Sequence, residues 1–331
     1  MQNNELNFYL LWLAHTKGMT SLRLSFILEY IKAHDNNVKK VIEDEHLLKN
    51  ILETSQIDSF YRNESKVLSE WKKLIKEGVL LINMFDRNYP KALQEHLGKK
   101  APPLLTALGN PDLLSKVSVG FCGSRKASEK GLETALDCVE QLVSKGINIV
   151  SGYASGIDMI THKTALSTGG STTIVLPEGI FNFNIRREIK NVWDWNRVLI
   201  LSEFAPSAGW QMHNAMQRNK TICALSNAMI LIEAKEKGGS IEAGQECIKM
   251  RIPLFAAIYE GMPEWANGND ILIKQGAIAL KKNIKSNRAN LESIFSVLIN
   301  KNQGLSTSFS DSNSVQNMYS SQKTIFQCLK K

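Results

Sequence analysis

Residues 117–182, VSVGFCGSRKASEKGLETALDCVEQLVSKGINIVSGYASGIDMITHKTALSTGGSTTIVLPEGIFN, decide the fold. An apolar run, Val117 to Cys122, ends in Gly123-Ser124-Arg125. The stretch Glu129 to Lys145 places Leu132, Leu136, Val139 and Val143 three or four residues apart, the period of an amphipathic helix, and Gly146 reads as its C-terminal stop. A second apolar run, Ile147 to Val150, gives way to Ser151-Gly152 and the small-residue turn Ala154-Ser155-Gly156. A helical pattern from Ile157 to Ser167 stops at Gly169-Gly170, and a third strand follows, Ser171 to Leu176. Strand, turn and helix, repeated, predict an α/β fold with a parallel sheet and crossover helices. Ligands in such sheets bind beyond the carboxyl ends of the strands. Here those ends carry small residues, an Arg and an Asp.

Upstream, residues 1–78 read as a helical N-terminal domain, with helices at Leu6 to His15, Leu22 to Ala33 and two more within 43–77. The turn Lys17-Gly18-Met19 could belong to a helix-hairpin-helix that grips a nucleic-acid backbone. With one Gly and no Gly-x-Gly, a plain packing domain is the better reading. Residues 79–116 form an entry segment: a strand at 79–85, a turn at Asn88-Tyr89-Pro90, a short helix, an extended Pro102-Pro103 linker and a strand at Leu104 to Leu108. Downstream, a short basic helix is expected at Asn184 to Trp193. Strands are expected at Val198 to Ser202, Ala228 to Glu233, Pro253 to Ile258 and Ala277 to Leu280, alternating with helices. The class is therefore α/β, a mostly parallel sheet with helices on both faces, spanning 79–300. Residues 303–324, rich in Ser, Asn and Gln, predict a disordered tail over 301–331.

Lys and Arg number 40 against 32 Asp and Glu, a net charge of +8 spread thinly and densest in the tail. That balance fits a polyanion binder and equally a merely basic protein, so charge alone does not decide. The five cysteines lie far apart without a CxxC pair, which points to buried free thiols; the six histidines are scattered, and no metal is expected. The N-terminus lacks a basic segment ahead of an apolar one, and no apolar stretch approaches the ~20 residues of a membrane span. The expectation is a reducing, cytoplasmic setting and no membrane.

Three glycine turns follow strands: Gly123-Ser124-Arg125, Ser155-Gly156 and Gly238-Gly239-Ser240, each read as opening a helix. Amides at a helix N-terminus bind phosphate or carboxylate, and glycine lets the anion approach. One such turn is common; three at the carboxyl ends of one sheet predict an anion pocket. The dinucleotide GxGxxG pattern and the Walker loop are both absent. Arg125 would project over the strand ends. Arg218 and Lys220, flanking Asn219, would add charge to the same rim, although Lys220 also reads as ordinary helix-surface charge. Asp158 suits the first turn of a helix, as a cap. His162, one turn on, organises that turn more readily than it ligates a metal. No nucleophile triad and no carboxylate pair is tied to the pocket, so no catalytic residue and no cofactor is expected.

In this order and spacing, Gly123-Ser124-Arg125, Ser151 to Asp158 with His162, Leu201-Ser202-Glu203-Phe204, Arg218-Asn219-Lys220 and Gly239-Ser240 resemble the DprA/Smf family (DNA-processing protein A), over about residues 70–258. The entry motifs Asn88-Tyr89-Pro90 and Pro102-Pro103 are similar too. The resemblance implies a dimeric Rossmann-like core that binds single-stranded DNA in a basic pocket and loads RecA recombinase in natural transformation, without known enzymatic activity. It assigns Gly123, Ser124, Arg125, Ser155, Gly156, Arg218, Asn219, Lys220, Gly239 and Ser240 to that pocket. Two departures stand out. Ala215 occupies a position where the family commonly has Phe, a base-stacking platform, and residues 303–331 are too short for the winged-helix domain many members carry. An alternative is a Rossmann-like protein that senses or cleaves a small nucleotide, since Gly238-Gly239-Ser240-Ile241-Glu242 loosely resembles the phosphoribohydrolases. That turn lacks their Pro, second Gly and Thr, which leaves Glu242 as a first-turn helix carboxylate.

Overall fold

The computed structural model describes residues 2–33 and 38–303. Six helices lead the chain: α1 (Gln2–Ala14), α2 (Ser21–Ala33), α3 (Val38–Glu43), α4 (Glu45–Ile51), α5 (Thr54–Arg62) and α6 (Glu64–Lys76). Residues 43–77 thus hold three helices rather than two. Asp44 starts one by accepting the amides of His46 and Leu47, and Glu53 with Gln56 starts the next through a capping box. The remaining elements are β1 (Leu80–Asn83), α7 (Lys91–Leu97), β2 (Leu104–Gly109), β3 (Ser118–Cys122), α8 (Glu129–Val143), β4 (Asn148–Ser151), α9 (Ile157–Ser167), β5 (Thr172–Val175), β6 (Val198–Ser202), α10 (Met212–Ala224), β7 (Ala228–Leu231), α11 (Gly239–Lys249), β8 (Leu254–Ala257), α12 (Gly268–Lys274), β9 (Ile278–Leu280) and α13 (Glu292–Gln303). Of the predicted tail, residues 301–303 belong to α13, and the rest lies outside the described residues.

The strands form one sheet in the order β1-β2-β6-β5-β4-β3-β7-β8-β9. From β6 to β9 every pairing is parallel; β2 joins β6 antiparallel, and β1 joins β2 antiparallel. The chain winds outward from β3 through β4, β5 and β6, then returns to β3's other side with β7. The β3/β7 boundary is therefore the topological switch point, where a crevice opens beyond the strand ends. Strands β4, β5, β6, β7 and β8 are buried along their whole length, as a parallel sheet covered on both faces requires.

The helix after β3 corrects one detail. Its buried stripe is Ala135, Cys138, Val139 and Leu142, while Leu136 stays 37% exposed. Residues 135, 138, 139 and 142 repeat the i, i+3, i+4 pattern one position away from the expected seam, because small Ala135 and Cys138 let α8 pack close. The basic stretch 184–193 also departs from expectation. It carries only a 3-10 turn at Lys190–Val192. Tertiary contacts win there: the Arg186 amide donates to Tyr153 Oη (3.0 Å), and Phe183 packs against Tyr153 and Trp193.

The N-terminal helices share a continuous hydrophobic cluster with the sheet, from Leu10 and Trp71 to Ile174 and Ile200. Asn7 covers the edge strand, donating from Nδ2 to the Leu81 carbonyl (2.9 Å) and accepting from Asn83 Nδ2 (2.8 Å). Among the described residues no helix is long and apolar enough to cross a membrane.

Candidate functional site

The crevice at the switch point is a cleft of about 550 Å3. The turns after β3, β4 and β7 meet there. The Ile157 amide donates to the Ser124 carbonyl (3.2 Å), Ser240 Oγ to the Gly123 carbonyl (2.9 Å), and Asn219 Nδ2 to the Gly239 carbonyl (3.3 Å). Gly156 has φ +76°, and a Cβ there would overlap the Ser124 carbonyl, so only glycine lets the two turns touch. These contacts bring Gly123, Ser124, Arg125, Asn219, Gly239 and Ser240 to the main cleft. Ser155 lines a smaller adjoining lobe, and Gly156 packs against the backbone carbonyls of Ser124 and Arg125.

The turns are not equivalent as anion sites. Helix α8 starts five residues past the first glycine, at a Ser128 N-cap whose Oγ accepts the Gly131 amide (3.0 Å). The Ser128 amide is itself taken by buried Glu233 (3.0 Å), which also accepts from Ser128 Oγ and Tyr259 Oη. That helix end is already satisfied, contrary to the reading of its turn as a helix opening. At α11 no side chain caps the N-terminus: Gly238, at φ +121°, holds the N-cap position, and Gly238, Gly239 and Ser240 all line the cleft. Its first-turn amides and dipole thus face the cleft without a side-chain cap, the arrangement that suits an anion.

Arg218 lies under the cleft. It is 5% exposed and lines both the main cleft and the smaller lobe. Nη1 donates to the Val175 carbonyl at the end of β5 (3.0 Å), while buried Nε has no partner. Among the described residues no carboxylate lies within ion-pair distance of it. Burial holds its pKa below the usual guanidinium value; Asp158 opposes this, and the nearby Arg125 charge adds to it. Glu203, at the end of β6, fastens Arg218's helix by accepting from Gln217 Nε2 and Thr221 Oγ1, both at 2.7 Å.

Asp158 and His162 act in the framework. Asp158 accepts from Ser151 Oγ (2.9 Å) and the Ala154 amide (3.1 Å), closing the turn after β4. His162 is fully buried; its Nε2–H donates to the Gly152 carbonyl (2.6 Å), and Nδ1 is hydrogen-bonded to the Thr172 hydroxyl (2.6 Å), which also reaches the Ile149 carbonyl (2.8 Å). Burial pulls its pKa down to about 4, so the ring is neutral. Among the described residues no cluster of three or more His, Cys, Asp or Glu is placed to hold a metal ion.

Lys220 is the sequence-predicted residue that stays apart. Two positions after Arg218 on α10, it faces the opposite side and lines a neighbouring groove with Glu203, Glu242 and Glu246. Conversely, the cleft is rimmed by exposed Lys126, Lys235 and Lys237, and by Trp210, which sequence reasoning did not assign. The lysines stand within a few residues of the glycine turns, so turn position alone could have found them. Trp210 sits in an irregular loop whose course only the tertiary structure reveals.

A doubly wound α/β core with its crevice at the switch point is a Rossmann-like domain, here with an uncapped helix and a buried arginine at that crevice. Residues 80–290 match the family model described as DNA recombination-mediator protein A, and the chain belongs to that family. It is 30% identical over 229 residues to the DNA processing protein DprA of Bacillus subtilis, an alignment covering 68% of this chain and 75% of that protein. The X-ray structure of DNA processing protein A from Streptococcus pneumoniae superposes with a TM-score of 0.69 at 25% identity, covering 83% of this chain and 94% of that one. DNA processing protein A from Helicobacter pylori, studied for its single-stranded DNA binding mode, has the same fold (TM-score 0.55, 24% identity, 67% of this chain and 96% of that one). These relationships favour the DNA-processing reading over a nucleotide-cleaving one.

Proposed function

We propose that this chain binds single-stranded DNA through the switch-point cleft and serves as a recombination mediator in DNA processing, of the kind that acts in natural transformation. The observation that carries the reading is Arg218, a nine-tenths buried guanidinium that forms no ion pair among the described residues and has an unpaired Nε, in a cleft that it shares with an uncapped helix end. A buried charge only partly offset by the neighbouring Asp158 and Glu203 carboxylates is costly, and a phosphate lodged between Arg218, Arg125 and the α11 amides would complete its compensation. The rim of Lys126, Lys235 and Lys237 continues the positive surface along an open cleft, which suits a polymer of phosphates better than a single one.

Gly123, Ser124, Arg125, Asn219, Gly239 and Ser240 form the main phosphate site in this reading, with Ser155 and Gly156 shaping the adjoining wall and Lys220 outside it. The protein works by binding and not by turnover, which agrees with Asp158 and His162 being engaged in framework bonds. RecA is the partner, a homodimer the working form and the cytoplasm the location that family membership suggests. Residues 1–78 would be a helical domain fused to the core at 79–300.

Fluorescence anisotropy of a labelled single-stranded oligonucleotide tests the reading. Wild-type protein should bind at low salt, and Arg125→Ala should weaken binding by at least about tenfold, the scale of one lost charge-assisted contact. Absence of binding by the wild-type protein, or an unaffected Arg125→Ala variant, would exclude it.

A further inference from the structure

Trp210, 53% exposed, stands on the cleft wall in the loop 203–211, between the end of β6 and the start of α10. That loop is held from two sides. The loop after β5 grips it where the Ala208 carbonyl accepts from the Gly179 amide and Asn182 Nδ2, both at 2.8 Å, and where the Pro206 carbonyl accepts the Phe181 amide (3.0 Å). The N-terminal helices grip it where Ser207 Oγ donates to Glu70 of α6 across 2.6 Å. Helix α6 reaches the first grip as well, since Lys73 Nζ lies 4.0 Å from the centre of the Phe181 ring.

Glu70 is 7% exposed, a poor place for a carboxylate that serves stability alone. Its second oxygen stands 2.8 Å from His15 Nε2. Burial pushes its pKa up, but the hydrogen bonds from His15 and Ser207 pull harder, and the carboxyl ends below its usual value. The side chain is therefore an anion at neutral pH, and its bond to Ser207 is charge-assisted. Beneath the start of the loop lies a cavity of about 370 Å3, walled by Leu11, Met19 and Leu24 on the helical side and by Phe204, Ala205 and Pro206 on the loop side. An unfilled space forfeits dispersion contacts, which leaves the Ser207 bond a larger share of the hold.

We propose that Glu70 is a positioning residue of the cleft: through Ser207 it holds Trp210 in the wall before a strand arrives, so that the N-terminal helices set DNA affinity from outside the site. The inference rests on the single-stranded DNA reading and adds a role for the N-terminal helices to it. A wall that is already ordered loses little freedom on binding, whereas a loose one must be ordered at the expense of affinity. Arg218 is fixed independently, by the Val175 carbonyl and by the bonds of Glu203 to α10. Releasing the loop therefore loosens Trp210 and leaves the phosphate seat intact.

The test is anisotropy titration of one labelled single-stranded oligonucleotide at several salt concentrations. Ser207→Ala should weaken binding about three- to tenfold, the scale of one hydrogen bond, without changing the slope of log K against log salt. Ser207→Thr keeps the hydroxyl and should restore wild-type affinity. Glu70→Gln gives up the assisting charge and should weaken binding in the same direction; combined with Ser207→Ala it should add nothing. In a Trp210→Ala background, Ser207→Ala should have no further effect. Ser207 is exposed, and its loss should quicken hydrogen exchange within 203–211 alone, which separates a freed loop from a damaged fold. Wild-type affinity in Ser207→Ala, additive effects of the Glu70 and Ser207 substitutions, an undiminished Ser207→Ala effect once Trp210 is gone, or exchange quickened throughout the chain each overturns the inference. If binding then still falls in Arg125→Ala, the DNA reading survives; a wild-type protein that binds no strand removes both.

Discussion

Arg218 Nη1, carried on α10, donates to the carbonyl of Val175 at the end of β5 across 3.0 Å. This single bond fixes a buried cation at the sheet's switch point and leaves Nε without a partner. A side chain selected for stability alone would not be charged there. Arg218→Met should therefore leave the ligand-free protein as stable or up to about 2 kcal/mol more stable, while DNA affinity falls by at least about tenfold. Urea unfolding and anisotropy titration on one preparation measure both sides of this exchange.

Gly152 guards the same guanidinium. A Cβ on Gly152 would overlap Arg218 Nη1 and come within 2.6 Å of Asp158 Oδ2. Gly152→Ala should push Arg218 out of its seat, weakening DNA binding about as much as Arg218→Met does. Unlike that substitution it should destabilise the fold, by about 1–3 kcal/mol of overpacking. A variant with unchanged affinity would show that Arg218's position is irrelevant to the ligand.

The two remaining sequence-predicted cations should part company. Arg125 is exposed and lines the cleft, whereas Lys220 lines the neighbouring groove among Glu203, Glu242 and Glu246. In salt titrations Arg125→Ala should flatten the slope of log K against log salt by about 0.7, one single-strand phosphate contact, and Lys220→Ala should leave the slope unchanged. The reverse order would move the DNA path into the groove.

His162 makes stability sensitive to acid. Its pKa falls from the usual 6.5 to about 4 on burial in the folded protein. The unfolded chain takes up the proton first as pH drops. The stabilisation is therefore complete above about pH 6.5 and is lost as pH falls toward 4. The loss amounts to about 2 kcal/mol between pH 7.5 and 5. His162→Asn removes this contribution, so the stability gap between wild type and variant should narrow by about that amount over the same interval in urea unfolding. A constant gap would mean that His162 titrates normally.

The parallel core was legible because apolar runs between Val117 and Leu176 end in glycines at regular intervals, and every buried strand needs such a run. Arg125 and Gly239 could be placed for the same reason, since each immediately follows a strand end or opens a helix. Other features depended on distant contacts. The burial of Arg218 comes from reaching across to β5, and the helix expected at 184–193 yields to Tyr153 and its aromatic neighbours. The rotated seam of α8 reflects which side chains are small enough for close approach, beyond what hydrophobic spacing reveals. Trp210 belongs to a loop positioned by Glu70, some 140 residues earlier, a separation no local pattern encodes.

The central claim is that the cleft binds a phosphodiester chain and not a single nucleotide. The most direct measurement is competition: a labelled single-stranded oligonucleotide bound at low salt, displaced by unlabelled oligonucleotides of increasing length or by nucleoside monophosphates. Displacement by oligonucleotides should strengthen with length, monophosphates at matched phosphate concentration should displace negligibly, and the bound state should be lost as salt rises. Displacement by a monophosphate as effective as by the longest strand, with little dependence on salt, would contradict the claim.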